Sequence, residues 1–200
     1  MEKNQTVQKV KNIFMSENPY LDLVLAQEKF YHDVFKMECD FSSVIIPERP
    51  GDDWRLRIII DLKLEQFYAK CQELFPCWRL TDKDLDEIVT RNERDAKNGP
   101  YAIWVRNRVE ADEELKNLPA TKIKEMNIKT ETLAERLIDE LEFFTETGGH
   151  LDIQNITLCA GSHYSGGYVP RVIWVVGKLG VSYCDPGLAG DDLRSRQVVS

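Results

Sequence analysis

The sequence has no long apolar run and no surplus of positive charge. Nothing in it approaches the roughly 20 consecutive apolar residues of a bilayer span, so no membrane helix is expected. Lys and Arg number 26 against 34 Asp and Glu, a net charge of −8. Phosphate-backbone binding rests on clustered cations, so nucleic acid is not an expected partner. The one basic pair, Arg55 and Arg57, lies inside a strand-like run. The opening MEKNQTVQKVKNIF lacks the apolar core of a secretory signal. The cytoplasm is therefore the default location, with surface display as the alternative. Cysteines are few and odd in number: Cys39, Cys71, Cys77, Cys159 and Cys184. They form no CxxC, which favours reduced thiols over a disulfide framework or a zinc ribbon. Neither of the glycine spacings that cradle phosphates occurs, so AGS at 160–162 and SGG at 165–167 read as turns. No cofactor is expected.

What is present suits a folded chain. Hydrophobic residues make up 42% and charged residues 30%, enough apolar material for a sizeable core without staples. A single domain over 1–200 is expected, opening on a helical element at 1–36. Within that element Val7, Val10, Ile13 and Phe14 recur at helical spacing, and Leu21, Leu25, Phe30, Val34 and Phe35 follow after Pro19. Met37–Ile46 alternates loosely and predicts a strand, as does Trp54–Ile60. Asp61 is placed to cap a helix running to Phe75, with Leu64, Phe67, Cys71 and Leu74 on one face. Residues 76–100 read as a polar connection with one helical turn. YAIWVR at 101–106 predicts a central strand, and EADEELKN at 110–117 a short charged helix. The clearest helix starts at Thr130, carries Leu133, Leu137, Ile138, Leu141 and Phe144 as a stripe, and stops at Gly148–Gly149. Strands are expected at 156–160, 169–176, 179–184 and 196–199. Helices in front and hairpins behind give an α+β class rather than a βαβ array.

Two constellations could carry chemistry. Cys159 and His163, with Cys184 further on, could form a nucleophile with its base or part of a zinc site. A buried cysteine packing as a small hydrophobe is the plainer reading. His150 and Asp152 follow a helix end and could form a pH-sensitive pair or a structural hydrogen bond.

The closing segment is unusual in composition. From Cys159 to Gly190 there is no Asn, Gln, Glu or Met, and seven of the eleven glycines lie there. Strand alternation puts Val172, Trp174, Leu179, Val181 and Tyr183 on one face as the expected core row. The other face takes Arg171, Ile173, Val175, Gly180, Ser182 and Cys184. An ordinary solvent face would carry Thr, Lys, Glu and Gln instead. Such a row would either pack on another element or partner, or serve as a contact surface.

The blocks PCW (76–78), YAIWVR (101–106), EADEELKN (110–117), ETGGHLDIQNITLCAGS (146–162) and LRSRQVVS (193–200) carry a resemblance. Over residues 76–200 the chain resembles the variable proteins of diversity-generating retroelements. In such systems error-prone copying at adenines rewrites the end of the gene, mostly at AAY codons. These cannot become codons for Lys, Glu, Gln, Met or Trp, so Trp174 and Lys178 must be fixed positions. The resemblance implies a C-type lectin-like fold: two packing helices with small antiparallel sheets, here with an extra N-terminal helical and strand element. The calcium-site tripeptides EPN and WND are absent, so no calcium or other metal is expected. It implies a non-enzymatic binding protein whose segment 163–192 displays a variable surface for an unknown protein or surface ligand. The implied contact residues are Tyr164, Tyr168, Arg171, Ile173, Val175, Val176, Gly177, Gly180, Ser182, Cys184, Leu188, Ala189 and Gly190. The alternatives are a Cys/His-dependent or metal-assisted enzyme, and a structural subunit of a phage or surface assembly.

Overall fold

The structure is a computed structural model that describes residues 18–200. The expected face of Val7, Val10, Ile13 and Phe14 lies outside those residues. The chain divides into two compact units, Met1–Ile46 and Pro47–Ser200, where one domain over 1–200 is expected from length.

In the first unit, helix α1 (Leu21–Phe30) runs on as a π-helical turn, Tyr31–Phe35. Lys36 then adopts a left-handed conformation (φ 58°) and ends it. Tyr31 is fully buried, 5.2 Å ring to ring from Phe30 and 5.6 Å from Phe41. The strand expected at Met37–Ile46 does not form. Its backbone is used locally instead: the Phe41 amide donates to the Glu28 carboxylate (2.8 Å) and the Val44 amide to the Phe41 carbonyl (3.0 Å). Loose alternation makes no strand where no neighbouring strand takes the ladder bonds.

The second unit is α+β. Its strands are β1 (Trp54–Ile59), β2 (Cys77–Arg79), β3 (Val89–Asn92), β4 (Tyr101–Arg106), β5 (Ile156–Leu158), β6 (Ser162–Tyr164), β7 (Val169–Val175), β8 (Lys178–Cys184), β9 (Leu193–Arg194) and β10 (Val198–Val199). Its α-helices are α2 (Leu64–Leu74), α3 (Leu85–Ile88), α4 (Ala120–Glu125) and α5 (Leu133–Thr147), with a 3-10 turn at Glu113–Leu115. Three sheets result, in the orders β1-β4-β10, β2-β8-β7-β5-β9 and β3-β6. As YAIWVR predicts, β4 is the central strand of the first sheet, antiparallel to both neighbours.

Several boundaries differ from expectation. Helix α2 starts at Leu64, not after Asp61, because Asp86 supplies the cap from a distance. The Asp86 carboxylate accepts from the amides of Leu64 (2.9 Å) and Glu65 (3.1 Å). Leu74, expected on the apolar face, is 40% exposed. The polar connection after Pro76 contains β2 and β3, whose hydrogen bonds go to strands about seventy to a hundred residues further along the chain.

Helix α5 begins three residues later than Thr130. Thr132 caps it, its Oγ1 accepting from the Glu135 amide while the Glu135 carboxylate accepts from the Thr132 amide. Gly148 ends it at φ 70°. Leu133, Leu137, Ile138 and Leu141 are fully buried, as the stripe predicts. The polar side is buried as well. Arg136, Asp139, Glu140 and Glu142 lie at 0–2% exposure. Their partners come from β1, from α5 itself and from His150 and Asp152 after it, with Arg196 of the C-terminal segment joining at Asp152. Arg55 and Arg57 both donate to Asp139 (2.7 and 2.8 Å), and Arg57 also to Glu142 (2.8 Å). Arg136 donates to Glu140 and Asp152, and Arg196 to Asp152, each at 2.8 Å. Four buried guanidinium groups thus face four buried carboxylates, which is the condition under which such charges can sit in an interior at all. The basic pair of β1 is spent inside the molecule. Asp139 and Asp152 are held below the ordinary carboxylate range by these arginines, against the opposing push of burial. Glu131, fully buried with both carboxylate oxygens unpartnered, is pushed well above its ordinary range by burial and the neighbouring Asp139.

Candidate functional site

The β7–β8 hairpin positions the candidate surface. Its antiparallel register runs from Val169 opposite Cys184 to Val175 opposite Lys178. Residues directly opposite share a face, so Arg171, Ile173, Val175, Lys178, Gly180, Ser182 and Cys184 form one row with Val169. Val172, Leu179 and Val181 form the other and are buried to 1% or less. The two remaining members of the expected core row reach further out. Trp174 is half-buried, with its ring lying flat on the His150 imidazole, 3.3 Å between centroids at 8°. Tyr183 is half-buried between Tyr164 (5.2 Å) and Tyr168 (5.4 Å).

The outer row is not uniformly open. At its lower end α4 lies across the sheet. Ala120 and Ile123 pack with Leu158, Val169, Cys184 and Leu193 in one apolar cluster. Cys184 is therefore core, and burial pushes its thiol up. Gly180 is covered from the side. β2 runs parallel to β8 with Trp78 level with Gly180, and a methyl group there would meet the indole at 2.5 Å. Ser182 is 4% exposed and accepts a 3.0 Å hydrogen bond from Arg171 Nε. Tyr164 is buried, and it packs with Tyr168 against the inner-row Tyr183 rather than beside Arg171. Gly180, Ser182, Cys184 and Tyr164 are thus corrected from surface contacts to supports: β2 and α4, distant in sequence, cover Gly180 and Cys184, while Ser182 is buried against Arg171 and Tyr164 against Tyr183.

The remainder is open to solvent. Arg171 and Ile173 are half-buried, Val175 is 36% exposed and Val176 92%. Val176 and Gly177 form the two-residue turn at φ 49° and 71°. Positive φ at both turn positions matches the twist of a hairpin and is normally met by Asn-Gly. A β-branched residue there is an outlier held by the strands on either side. Leu188 (42% exposed) and Ala189 sit in a separate loop ending near the half-buried Gly190. That loop is tied to α4 through the Thr121 amide and the Pro186 carbonyl (3.1 Å).

The cysteine constellation does not assemble. Cys159 is fully buried and its thiol is pushed well above the ordinary range by burial, which disfavours the thiolate a nucleophile or zinc ligand needs. His163 lies on β6 opposite Arg91, its pKa lowered by burial and by that guanidinium. Among the described residues no group of three His, Cys, Asp or Glu side chains is placed to hold a metal ion. His150 and Asp152 do not pair with each other. His150 Nδ1 meets Glu140 Oε1 at 2.9 Å, while Asp152 is engaged by Arg136 and Arg196. Among the described residues no helix is long and apolar enough to cross a membrane.

No protein-family model, curated protein or solved structure matches this chain. The site must be read from its own geometry. Sequence reasoning missed Trp78 as part of it, since β2 lies in a segment read as a polar connection. The available signal was Gly180 itself: glycine inside a strand often marks close approach of another group.

Proposed function

We propose that this chain is a non-enzymatic ligand-binding protein of the kind diversified by a retroelement, with Pro47–Ser200 as a C-type lectin-like domain. The observation that carries the reading is the division of labour across one hairpin. Val172, Leu179 and Val181 are sealed in the interior, while Ile173 and Val175 on the opposite face, and Val176 in the turn, present apolar surface to solvent. Period-two alternation lets the second set change without disturbing the first. Exposed apolar side chains of this kind serve recognition rather than folding. The ligand is a protein or a surface-borne molecule contacted through Arg171, Ile173, Val175, Val176 and Gly177, with Leu188 and Ala189 on a neighbouring loop.

The test is combined replacement of Ile173, Val175, Val176 and Leu188 by Ser or Thr. The melting temperature is expected to stay within about 4 °C of the parent, since surface changes outside special features cost little. A collapse of stability would return the row to the core and end the proposal. An independent check lies in the coding DNA: a near-copy of the segment for 163–192, differing at adenines and next to a reverse-transcriptase gene.

A further inference from the structure

The open end of the outer row is cationic on an acidic protein. Its charged members are Arg171 and Lys178, whereas the chain as a whole carries −8. Arg171 is held by its Nε, which donates to the nearly buried Ser182 hydroxyl at 3.0 Å. That single bond fixes the guanidinium plane and leaves both terminal nitrogens without a hydrogen-bond partner among the described residues, yet not sealed from water. The Trp78 indole N–H is in the same condition. Trp78 is level with Gly180, Gly180 is opposite Ile173, and Ser182 is opposite Arg171. Adjacent strands lie about 4.8 Å apart, so two long side chains from β2 and β7 can close over β8. Gly180 is what lets the indole lie there.

We infer that Arg171 and Trp78 form a carboxylate-recognition site where the open part of the candidate binding face meets its covered end, and that its occupant is an acidic side chain of a protein partner flanked by an apolar residue. This rests on the reading of the face as a contact surface. A guanidinium with its terminal edge free is the group best matched to a carboxylate, which it grips through two parallel hydrogen bonds. The indole N–H adds a third donor, and Ile173 with Val175 supplies the apolar bed for the neighbouring residue. Asp185, the next residue after Cys184, is exposed and lies in the following turn, where its carboxylate accepts from the Gly187 amide at 2.8 Å.

The test uses the full chain, labelled with 15N, titrated with N-acetyl glutamyl-leucine amide, its glutaminyl and lysyl counterparts, and inorganic phosphate. The glutamyl peptide is expected to shift the Arg171 Nε–H and Trp78 Nε1–H resonances at about millimolar concentration, with the glutaminyl and lysyl peptides about tenfold weaker or more. Arg171→Gln should lose about tenfold in affinity, and Trp78→Phe, which keeps the ring and removes the donor, a smaller factor. No shift, equal shifts from the lysyl or glutaminyl peptide, or an equal response to phosphate alone would overturn the inference. If Ile173→Ser and Val175→Ser leave the fold intact while the glutamyl peptide is ignored, only the carboxylate site fails. If those substitutions unfold the domain, the underlying reading of the face fails first.

Discussion

The shell of charges around α5 and the outer row of β7–β8 are both populated by residues that look misplaced. The first puts charge where apolar side chains belong. The second puts apolar side chains where charge belongs. In the shell every charged group has a reason to stay: each of four guanidinium groups meets a carboxylate at 2.7–2.8 Å. At the open end of the outer row, Val175 and the turn residue Val176 are exposed, and among the described residues no other apolar side chain of the core depends on them. The same anomaly of composition therefore marks a constraint in one place and freedom in the other, and only the partners tell them apart.

Removing a charge from the shell should have the largest effect. Asp152→Ala strips the shared acceptor from Arg136 and Arg196 and should cost about 3–5 kcal/mol in urea denaturation. A loss below about 1 kcal/mol would erase the contrast. Leu179→Ala, on the inner row, should cost about 2–4 kcal/mol by leaving a cavity. The combined outer-row replacement, as stated above, should cost far less.

Acidity sharpens the comparison further. Asp139 and Asp152 have depressed pKa values in the folded state. Their contribution is present above the unfolded carboxylate range near pH 4 and is lost as pH falls below it. Glu131 runs the other way. Its raised pKa means the folded state holds a proton that the unfolded chain releases, so its contribution is complete below about pH 4 and is lost as pH rises through its folded value. Glu131→Gln should flatten the alkaline side of a melting-temperature profile and leave the acid side unchanged. A profile unaltered by this change would mean that Glu131 is ionised in the fold.

The smallest expected effect is favourable. Val176→Asn relieves a β-branched residue in the left-handed region and should stabilise by about 1 kcal/mol, a rise of about 2–4 °C in melting temperature.

What could be read from the sequence was local. The β-rich apolar run YAIWVR, the stripe and stop of α5, and the two rows of the β7–β8 hairpin depend on residues within a few positions of each other. What could not be read was long-range. Arg57 meets Asp139 from 82 residues away, and nothing at either end announces the other. The short strands β2, β3, β6 and β9 have too few residues for a period and exist through their neighbours. Helix α4, ATKIKE, has Lys at alternate positions and no clear stripe, yet it turns Cys184 from surface into core. The candidate site was therefore legible as a row but not in its extent.

The placement of α4 and Trp78 has a practical consequence for anyone building variants of this domain. A combinatorial library spread over the outward positions 171, 173, 175, 178, 180, 182 and 184 would put three of its seven sites, 180, 182 and 184, under an indole ring, against a guanidinium or beneath a helix, and discard the clones changed there as unfolded. Confining randomisation to 171, 173, 175 and 176 would keep nearly all members soluble and put the sampled diversity on one contiguous footprint.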